Sequence, residues 1–257
     1  MPAGESTDTS RPERPSASHR IIGQAWRTIR ETAILIAVAV GLALVIKTVL
    51  VQAFYIPSGS MEPGLVENDR ILVQKVSYWF SDPHRGDVIV FKDPANWLGQ
   101  EADAAPTGIR GLLSKVGLYP TGGHLVKRVI GLPGDTVECC DDQGRIVVNG
   151  QPLDEDDFIA PQPDCDGPMA GCPTGNQKRS WMVTVPADSL FVMGDNRGDS
   201  ADSSFHLCNA DDPDCDNSAT FVPIDDVVGK VTALVWPLNH GKFITTPDVF
   251  DTVPDPS

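Results

Sequence analysis

Two serines in a segment bracketed by prolines could carry out nucleophilic chemistry. Ser58 and Ser60 flank Gly59, and Pro57 and Pro63 stand on either side of them. Because proline fixes its φ angle and glycine does not, the backbone is stiff at the ends of this segment and free in its middle. Such a segment can present a serine hydroxyl and leave backbone N–H groups free to hold an oxyanion. The alternative is an ordinary Ser-Gly turn in a linker.

Lys127 is a candidate general base. In a strand over 124–131 it would share one face with Leu125 and Val129, both apolar. A lysine acts as a base only when neutral, and at a pKa of ~10.4 about one in a few thousand is neutral at pH 7. Burial can lower a lysine pKa by up to ~3–5 units, which would make the neutral form common. The alternative is a lysine on a half-exposed strand that pairs with one of the many acidic residues.

A cluster of small and polar residues, 194–204, follows the apolar run 190–193. A strand that leads into such a cluster often places hydrogen-bonding groups at the edge of a site. The alternatives are a solvated Asx turn and a calcium-binding loop. Calcium loops use carboxylates at regular alternate positions, and Asp195, Asp199 and Asp202 are not spaced in that way.

Histidine, the usual base of a serine protease, is not favoured by the sequence. The histidines of the body of the chain lie in turn-like or strand-edge contexts, and none belongs to a recognisable triad motif. We interpret each of them as a surface or structural residue: His84, His124, His206 and His240.

The elements that would position these residues are short strands. Apolar runs rich in β-branched residues recur between Gly, Pro and Asp, at 71–76, 87–91, 125–130, 136–139, 145–148, 181–185, 190–193 and 231–236. Asn149-Gly150 is typical of a two-residue hairpin turn and Pro133-Gly134 of a type II turn. The sequence therefore predicts a mostly β body. Three further segments are predicted within it: an insertion loop at 93–123, a smaller excursion at about 138–186 and an acidic tail at 245–257.

The first 53 residues of the chain predict a membrane anchor. Residues 1–31 are polar and carry five arginines, which predicts a disordered, basic, cytoplasmic segment. The apolar stretch 32–53 is long enough to cross a hydrocarbon core, and Lys47 can extend to the interface. A cleavable signal peptide ending at 51–53 is the alternative. Either interpretation places 54–257 outside the cytoplasm, and the anchor predicts a single-pass protein of the cell membrane.

The amino-acid composition limits the classes of binding partner that we expect. The 257 residues carry 35 acidic and 20 basic side chains, a formal charge of −15, which disfavours nucleic acid as a partner. The six cysteines show no zinc-type spacing, and an extracytoplasmic location favours disulfides. Cys165–Cys172 and Cys208–Cys215 are plausible short-loop pairs. Cys139 and Cys140 are adjacent, and we do not expect them to bond to each other.

Taken in order, the motifs resemble one known family. Pro-Ser-Gly-Ser-Met-x-Pro at 57–63, Lys-Arg-x-x-Gly-x-Pro-Gly-Asp at 127–135 and Gly-Asp-Asn-Arg-x-x-Ser-x-Asp-Ser at 194–203 follow a single N-terminal apolar stretch. This order resembles bacterial type I signal peptidase, and the strand segment 85–94 is similar as well. The resemblance runs from about residue 33 to 237. It implies a coiled β-sheet catalytic core with a smaller β excursion, preceded by one transmembrane helix.

The resemblance also implies the roles of the site residues. Ser60 is the nucleophile and Lys127 the general base, without metal or organic cofactor. The Ser58 hydroxyl and the Ser60 backbone N–H would hold the oxyanion. Ser200 would hydrogen-bond the Lys127 amine and orient it, and Asp202 would support the same loop.

The sequence departs from the family pattern at three places. Gly64 stands where Thr is usual, and Gly198-Asp199 where Asp-Asn is usual. Ser204 stands where the family has an Arg that pairs with the aspartate matching Asp202. Arg128 or Arg197 could replace that partner.

The implied substrates are secretory preproteins, cut after the small residue of an A-x-A site close to the bilayer and to the protein translocase. Trp79 and Phe80 could lie in the membrane interface, or could pack in the core. Two alternatives remain: a tethered β domain that binds secretory proteins with little or no activity, and a specialised maturation protease.

Overall fold

The computed structural model describes residues 17–99, 123–161, 181–208 and 216–256. The chain divides into two compact units, residues 1–46 and 47–257. Helix α1 (Ala17–Val49) supplies the described part of the first unit, and its side chains from 26 to 43 are exposed. In the part of the chain that the structure describes, we find no helix with both the length and the apolar character needed to span a bilayer.

The regular elements of the second unit are mostly short strands. They are β1 (Val51–Tyr55), β2 (Arg70–Gln74), β3 (Val88–Lys92), β4 (His124–Gly131), β5 (Thr136–Cys139), β6 (Val147–Val148), β7 (Gln151–Pro152), β8 (Trp181–Thr184), β9 (Ser189–Met193), β10 (Val222–Pro223), β11 (Val227–Trp236) and β12 (Lys242–Phe243). The short helix α2 (Ser77–Phe80) follows β2. Short 3-10 turns occupy 197–199, 217–220, 224–226, 238–240 and 248–252.

Two antiparallel sheets organise these strands. The larger one has the order β1-β2-β11-β3-β4-β9-β10, and β12 pairs with β11. The smaller one has the order β7-β6-β5-β8 and corresponds to the predicted excursion. The prediction of a mostly β body with a smaller β excursion is confirmed, because each predicted apolar run coincides with a strand.

The boundary between helix and strand differs from the prediction. Residues 51–53, expected to end the apolar anchor, belong to β1, which pairs with β2 through Val51↔Gln74 to Tyr55↔Arg70. Phe54 and Ile56 are buried in a core cluster of the sheet. Because they pack there, the chain leaves the helix at Val49 and becomes extended. The helix also begins at Ala17, inside the stretch expected to be disordered.

The acidic tail is packed rather than free. Phe250 and Val253 are buried in the core cluster that also holds Phe191 and the apolar residues of the smaller sheet. The carbonyl of Pro254 accepts hydrogen bonds from Arg85 and Asn149. Apolar residues spaced among the acids therefore hold this C-terminal strap, residues 244–256, against the body.

The cysteine prediction was wrong at one pair. Cys139 and Cys140 are joined to each other by a disulfide at the end of β5. The side chain of Cys139 is buried in the core cluster and Cys140 packs against it, so the pair is part of the packing of the smaller sheet. Cys208 is also disulfide-bonded. Cys165, Cys172 and Cys215 lie outside the described residues, as do residues 1–16 and most of the predicted insertion loop.

Candidate active site

The segment that carries Ser60 leaves the end of β1 and turns back into the core. Met61 and Leu65 are buried beneath it, and the Leu65 N–H donates to the Met61 carbonyl at 2.9 Å. Asn196 holds the turn from the other side, because its backbone N–H donates to the Ser60 carbonyl at 3.0 Å and its side-chain amide to the Gly59 carbonyl at 3.1 Å. The anchors on both sides leave the Ser60 hydroxyl in a fixed position.

Lys127 reaches that hydroxyl from the middle of the sheet. Strand β4 pairs with β3 on one side and β9 on the other, which leaves Lys127 only 3% exposed. Its Nζ lies 2.7 Å from the Ser60 Oγ, in hydrogen-bond contact. The sequence predicted both residues separately, and the fold brings them together across 67 positions of the chain.

Burial lowers the pKa of Lys127 to about 8, although the negative charges of Asp202, Asp195 and Asp199 act in the opposite direction. At that pKa about one lysine in ten is neutral at pH 7, against about one in a few thousand for an exposed lysine. A buried, partly neutral amine in contact with a serine hydroxyl can take its proton.

Ser58 lies beside this pair. Its side chain is exposed, and its hydroxyl donates to the Ser60 Oγ at a long distance of 3.4 Å. A group in this place can turn toward an oxygen that develops negative charge next to Ser60.

Ser200 differs from the prediction in its partner. Its hydroxyl donates to Asp202 Oδ2 at 2.6 Å, and we find no hydrogen bond from it to Lys127 in the described structure. The physical reason is that the carboxylate is the stronger acceptor. Ser200 still lies close to the nucleophile, since a Cβ added to Gly194 would come within 2.3 Å of the Ser200 Oγ and 2.4 Å of the Ser60 carbonyl oxygen.

Asp202 is buried and accepts four hydrogen bonds, none of them from an arginine among the described residues. Its Oδ2 accepts from Ser200 and from the Gly194 N–H at 2.8 Å, and its Oδ1 accepts from the N–H and the hydroxyl of Ser204. The two arginines proposed as replacement partners bind elsewhere. Arg128 forms a bidentate pair with Asp195, and Arg197 one with Glu155. Ser204 itself therefore supplies the contact to Asp202.

Comparison with known proteins identifies the family. Residues 29–236 match the family model described as "Signal peptidase, peptidase S26". The chain belongs to this signal peptidase family. It is therefore a peptidase, as the order of the motifs predicted.

Two related proteins agree with this membership. The chain is 41% identical to the "Probable signal peptidase I" of Mycobacterium leprae over 80% of its length and 76% of that protein. It is 36% identical to the "Signal peptidase I" of Leptolyngbya laminosa, with 91% of each chain covered. A crystal structure of a signal peptidase I from Enterococcus faecalis V583 aligns at 26% identity and a TM-score of 0.32, over 59% of this chain and 98% of that one.

A cavity of about 390 Å³ opens beside Ser60 and Lys127 in this signal peptidase family member. Its walls are mostly apolar and come from the end of β1, the nucleophile turn and the start of β4. The residues that line it include Phe54, Ile56, Met61, Val90, Leu125 and Val126. A mostly apolar cavity of this size can accept apolar side chains next to Ser60 and Lys127.

The histidines do not contact Ser60 through any hydrogen bond of the described structure. His124 lines the same cavity and its ring lies 5.4 Å from that of Phe54. His206 stacks on Trp97 at 4.6 Å, and burial lowers its pKa. His84 and His240 are largely exposed. Within the described residues we also find no group of His, Cys, Asp and Glu able to hold a metal ion, which includes the acidic cluster 195–202.

Sequence reasoning missed three contributors to the site: Gly194, Asn196 and Glu155. The first two lie in a quoted motif, but their contacts with Ser60 depend on how the loop folds back. Glu155 lies in the excursion, whose acidic sequence indicates a solvent-exposed segment. No signal in the sequence distinguishes it from the neighbouring acids Asp154 and Asp156.

Proposed function

We propose that this chain is a serine endopeptidase that removes N-terminal signal peptides from secretory preproteins, with Ser60 as nucleophile and Lys127 as general base. The observation that supports this best is the 2.7 Å contact between the buried Lys127 amine and the Ser60 hydroxyl, inside a member of the signal peptidase family.

The first half of the reaction forms an ester on Ser60. Neutral Lys127 takes the hydroxyl proton as the Ser60 Oγ attacks the carbonyl carbon of the scissile bond. The Ser60 N–H and the Ser58 hydroxyl hold the resulting oxyanion. The Lys127 ammonium then protonates the leaving amine, the C–N bond breaks, and the mature protein departs with its new N-terminus.

The second half regenerates the enzyme. Lys127, neutral again, takes a proton from water as the water oxygen attacks the ester carbonyl. The ammonium returns that proton to the Ser60 oxygen as the C–O bond breaks, and the signal peptide leaves with a free carboxylate. In both halves the negative charges of Asp202, Asp195 and Asp199 favour the ammonium form that Lys127 takes once it has accepted a proton.

We propose small residues at positions −1 and −3 of the substrate, as in an A-x-A site. The cavity beside Ser60 supports this, because its walls are mostly apolar and, among the described residues that line it, Lys127 is the only lysine, arginine or carboxylate side chain. Secretory preproteins are the partners that carry such sites, and the protein translocase is the neighbour that delivers them.

We further propose that the apolar stretch after Ala33 holds the chain in the cell membrane, with the basic N-terminal segment on the cytoplasmic side and the catalytic unit outside. The uncharged run 33–46 and the exposed apolar side chains of α1 support this, among them Leu35, Val38 and Leu42. Trp79 and Phe80 are both exposed, which suits residues that lie in the interface. Flotation of the intact chain with liposomes tests the attachment, and a chain that stays at the bottom of the gradient contradicts it.

The test of the proposed function is cleavage of a preprotein with an Ala-x-Ala site by the detergent-solubilised chain. We expect one cut at the Ala-x-Ala junction, found by sequencing the new N-terminus, and no cut by Ser60→Ala or Lys127→Ala. Lys92→Ala is the matched control, because Lys92 lies on neighbouring β3 and is exposed.

Other outcomes separate the alternatives. Full activity of Lys127→Ala contradicts its role as base. Binding of preproteins without any cleavage favours the tethered binding domain, whose one argument was the absent arginine at 204. Cleavage confined to a few substrates favours a specialised maturation protease.

A further inference from the structure

A buried ion pair ties the smaller sheet to the loop that contacts Ser60. Glu155 follows β7, and both of its carboxylate oxygens accept from Arg197, at 2.6 and 2.8 Å. Both side chains are at most 5% exposed. The structure gives this pair no part in the chemistry of the Ser60–Lys127 contact, so its position needs another explanation.

Arg197 connects Glu155 to Gly194, which lies next to the proposed reactive residues. Its Nε donates to the Gly194 carbonyl at 3.0 Å, and the Gly194 N–H donates to Asp202. Gly194 is the residue with no room for a Cβ between Ser60 and Ser200. Glu155 therefore reaches the nucleophile turn through two intermediates, Arg197 and Gly194.

Backbone hydrogen bonds form a second connection between the same two segments. The Ala160 N–H donates to the Asp195 carbonyl at 2.9 Å, and the Glu155 carbonyl accepts from the N–H groups of Phe158 and Ile159. The segment 155–160 thus contacts residues 194–197 through the backbone as well as through Glu155. The same residues contact the Ser60 backbone through Asn196.

We propose that Glu155 is a positioning residue for the reaction: through Arg197 it holds Gly194 and the loop 194–202 against the Ser60 turn. This inference rests on the proposed Ser60–Lys127 mechanism. A site held to within a fraction of an ångström needs such support, because a displacement of about 1 Å can cost about a hundredfold in rate.

The charges around Lys127 give the proposal a second signature. The negative charges of Asp195, Asp199 and Asp202 act on its amine, and Arg128, next along β4, is paired with Asp195. Asp195 and Asp202 also act on the Arg197 charge, after burial and the larger influence of Glu155. Without Glu155, Arg197 turns its charge to these carboxylates, and the pKa of Lys127 falls. Without Arg197 the carboxylates act unopposed, and the pKa of Lys127 rises.

The test compares Glu155→Gln with the double variant Glu155→Leu/Arg197→Met in the detergent-solubilised chain. We expect Glu155→Gln to lower kcat by about tenfold or more at unchanged KM. The pH at which kcat/KM of this variant rises to half of its maximum should be lower than in the wild type by about 0.3–1 pH unit. Because apolar residues of similar volume can replace a buried ion pair without loss of stability, we expect the double variant to melt near the wild type and still turn over about tenfold more slowly.

Asp141→Asn is the matched control. It removes a carboxylate just beyond β5 whose Oδ2 also accepts two hydrogen bonds from an arginine, Arg145, but which is far more exposed than Glu155. We expect wild-type turnover from it. A double variant that is stable and turns over at the wild-type rate would overturn the inference, since Glu155 would then serve stability alone.

A readout without turnover keeps the two proposals apart. If the wild type does not cleave, the proposed function fails, and the titration of Lys127 by NMR of ¹³C-labelled lysine decides the inference instead. A lower pKa of Lys127 in Glu155→Gln supports it, and an unchanged titration in that variant contradicts it.

Discussion

At the scale of single residues, the reactive pair depends on what lies around Lys127 rather than on Lys127 itself. The lysine is buried on β4, the strand between β3 and β9, and this burial lowers its pKa, while the negative charges of the acidic loop 195–202 limit the shift. Too little burial would leave the amine charged at neutral pH, and removal of the acids would destabilise the ammonium that must form during the reaction. A pKa near 8 is a compromise between these needs.

Gly194 gives a prediction at this scale. We expect Gly194→Ala to abolish cleavage, because its methyl group would meet the Ser200 hydroxyl at 2.3 Å and the Ser60 carbonyl at 2.4 Å. Gly64→Ala, in the nucleophile turn, is the control, since its new Cβ would have only ordinary contacts at 3.5 Å. The measurement is the rate of preprotein cleavage with a melting curve for each variant. An active Gly194→Ala would show that the loop does not need this close approach.

Ser58 gives a second prediction at the scale of single residues. We expect Ser58→Ala to lower kcat by about 10²–10³, the usual effect of losing one oxyanion donor. Its stability should stay within about 0.5 kcal/mol of the wild type, because the side chain is exposed. Ser58→Thr keeps the hydroxyl and should recover part of the rate. Wild-type turnover of Ser58→Ala would remove Ser58 from the mechanism.

At the scale of elements, strand β4 does most of the positioning. It lies between β3 and β9, and its successive residues Lys127 and Arg128 bind different segments, the Ser60 turn and Asp195. Strand β1 leads directly into the nucleophile turn, and β9 leads into the loop that holds Ser200 and Asp202. Three strands that are distant in sequence thus end or pass at one place.

The C-terminal strap carries the prediction at this scale. Phe250 packs against Phe158 and is buried in the core cluster of the smaller sheet. We expect Phe250→Ala to lower the free energy of unfolding by about 3–5 kcal/mol. Phe243→Ala should change it by less than about 0.5 kcal/mol, because Phe243 is 84% exposed. Chemical denaturation measures both, and equal stability of the two variants would contradict the packing of the strap.

The strands show what sequence patterns can reveal about elements. Runs of β-branched residues between turn signals predicted the central strands, since their side chains must fill a buried sheet. Strand β1 was hidden, because its residues continue the apolar character of the helix before it. Strand β7 contains Pro152 at a sheet edge, where a missing N–H is tolerated. The strap reads as an acidic tail, and nothing local in the sequence distinguishes Phe250 from an exposed aromatic residue.

The candidate site, like the strands, could be predicted from the sequence only in part. Residue types and motif order were sufficient to single out Ser60, Lys127 and Ser58, all of which meet at the cavity. The hydrogen bond of Ser200 was predicted to the wrong partner, since the choice between an amine and a carboxylate depends on positions within an ångström. Glu155 and Arg197 meet only after two sheets have formed.

At the scale of the whole molecule, the burial of Lys127 links stability to pH. Its pKa is lowered from 10.5 to about 8 in the folded chain, so the unfolded chain binds more protons between those values, and stability rises with pH there. Below pH 8 the burial costs about 3 kcal/mol.

We therefore expect Lys127→Met to be more stable than the wild type by up to about 3 kcal/mol at pH 7, with a difference that shrinks as the pH approaches 10.5. The measurement is denaturation of both chains at pH 7 and pH 10. Lys230→Met is the comparison, since the Lys230 amine is partly exposed and bound to Asp87, and its loss should destabilise. A difference for Lys127→Met that stays constant with pH would contradict a lowered pKa.

The pH dependence of kcat/KM for an Ala-x-Ala preprotein tests the central claim, a neutral lysine as the base, most directly. With Lys127 as the base, the rate rises with pH through a single ionisation near pH 8, because only the neutral amine can take the Ser60 proton. His124→Asn, which alters the histidine of the same cavity, should keep that ionisation. An acid limb near pH 6.5 that disappears in His124→Asn would assign the base to histidine and contradict the account.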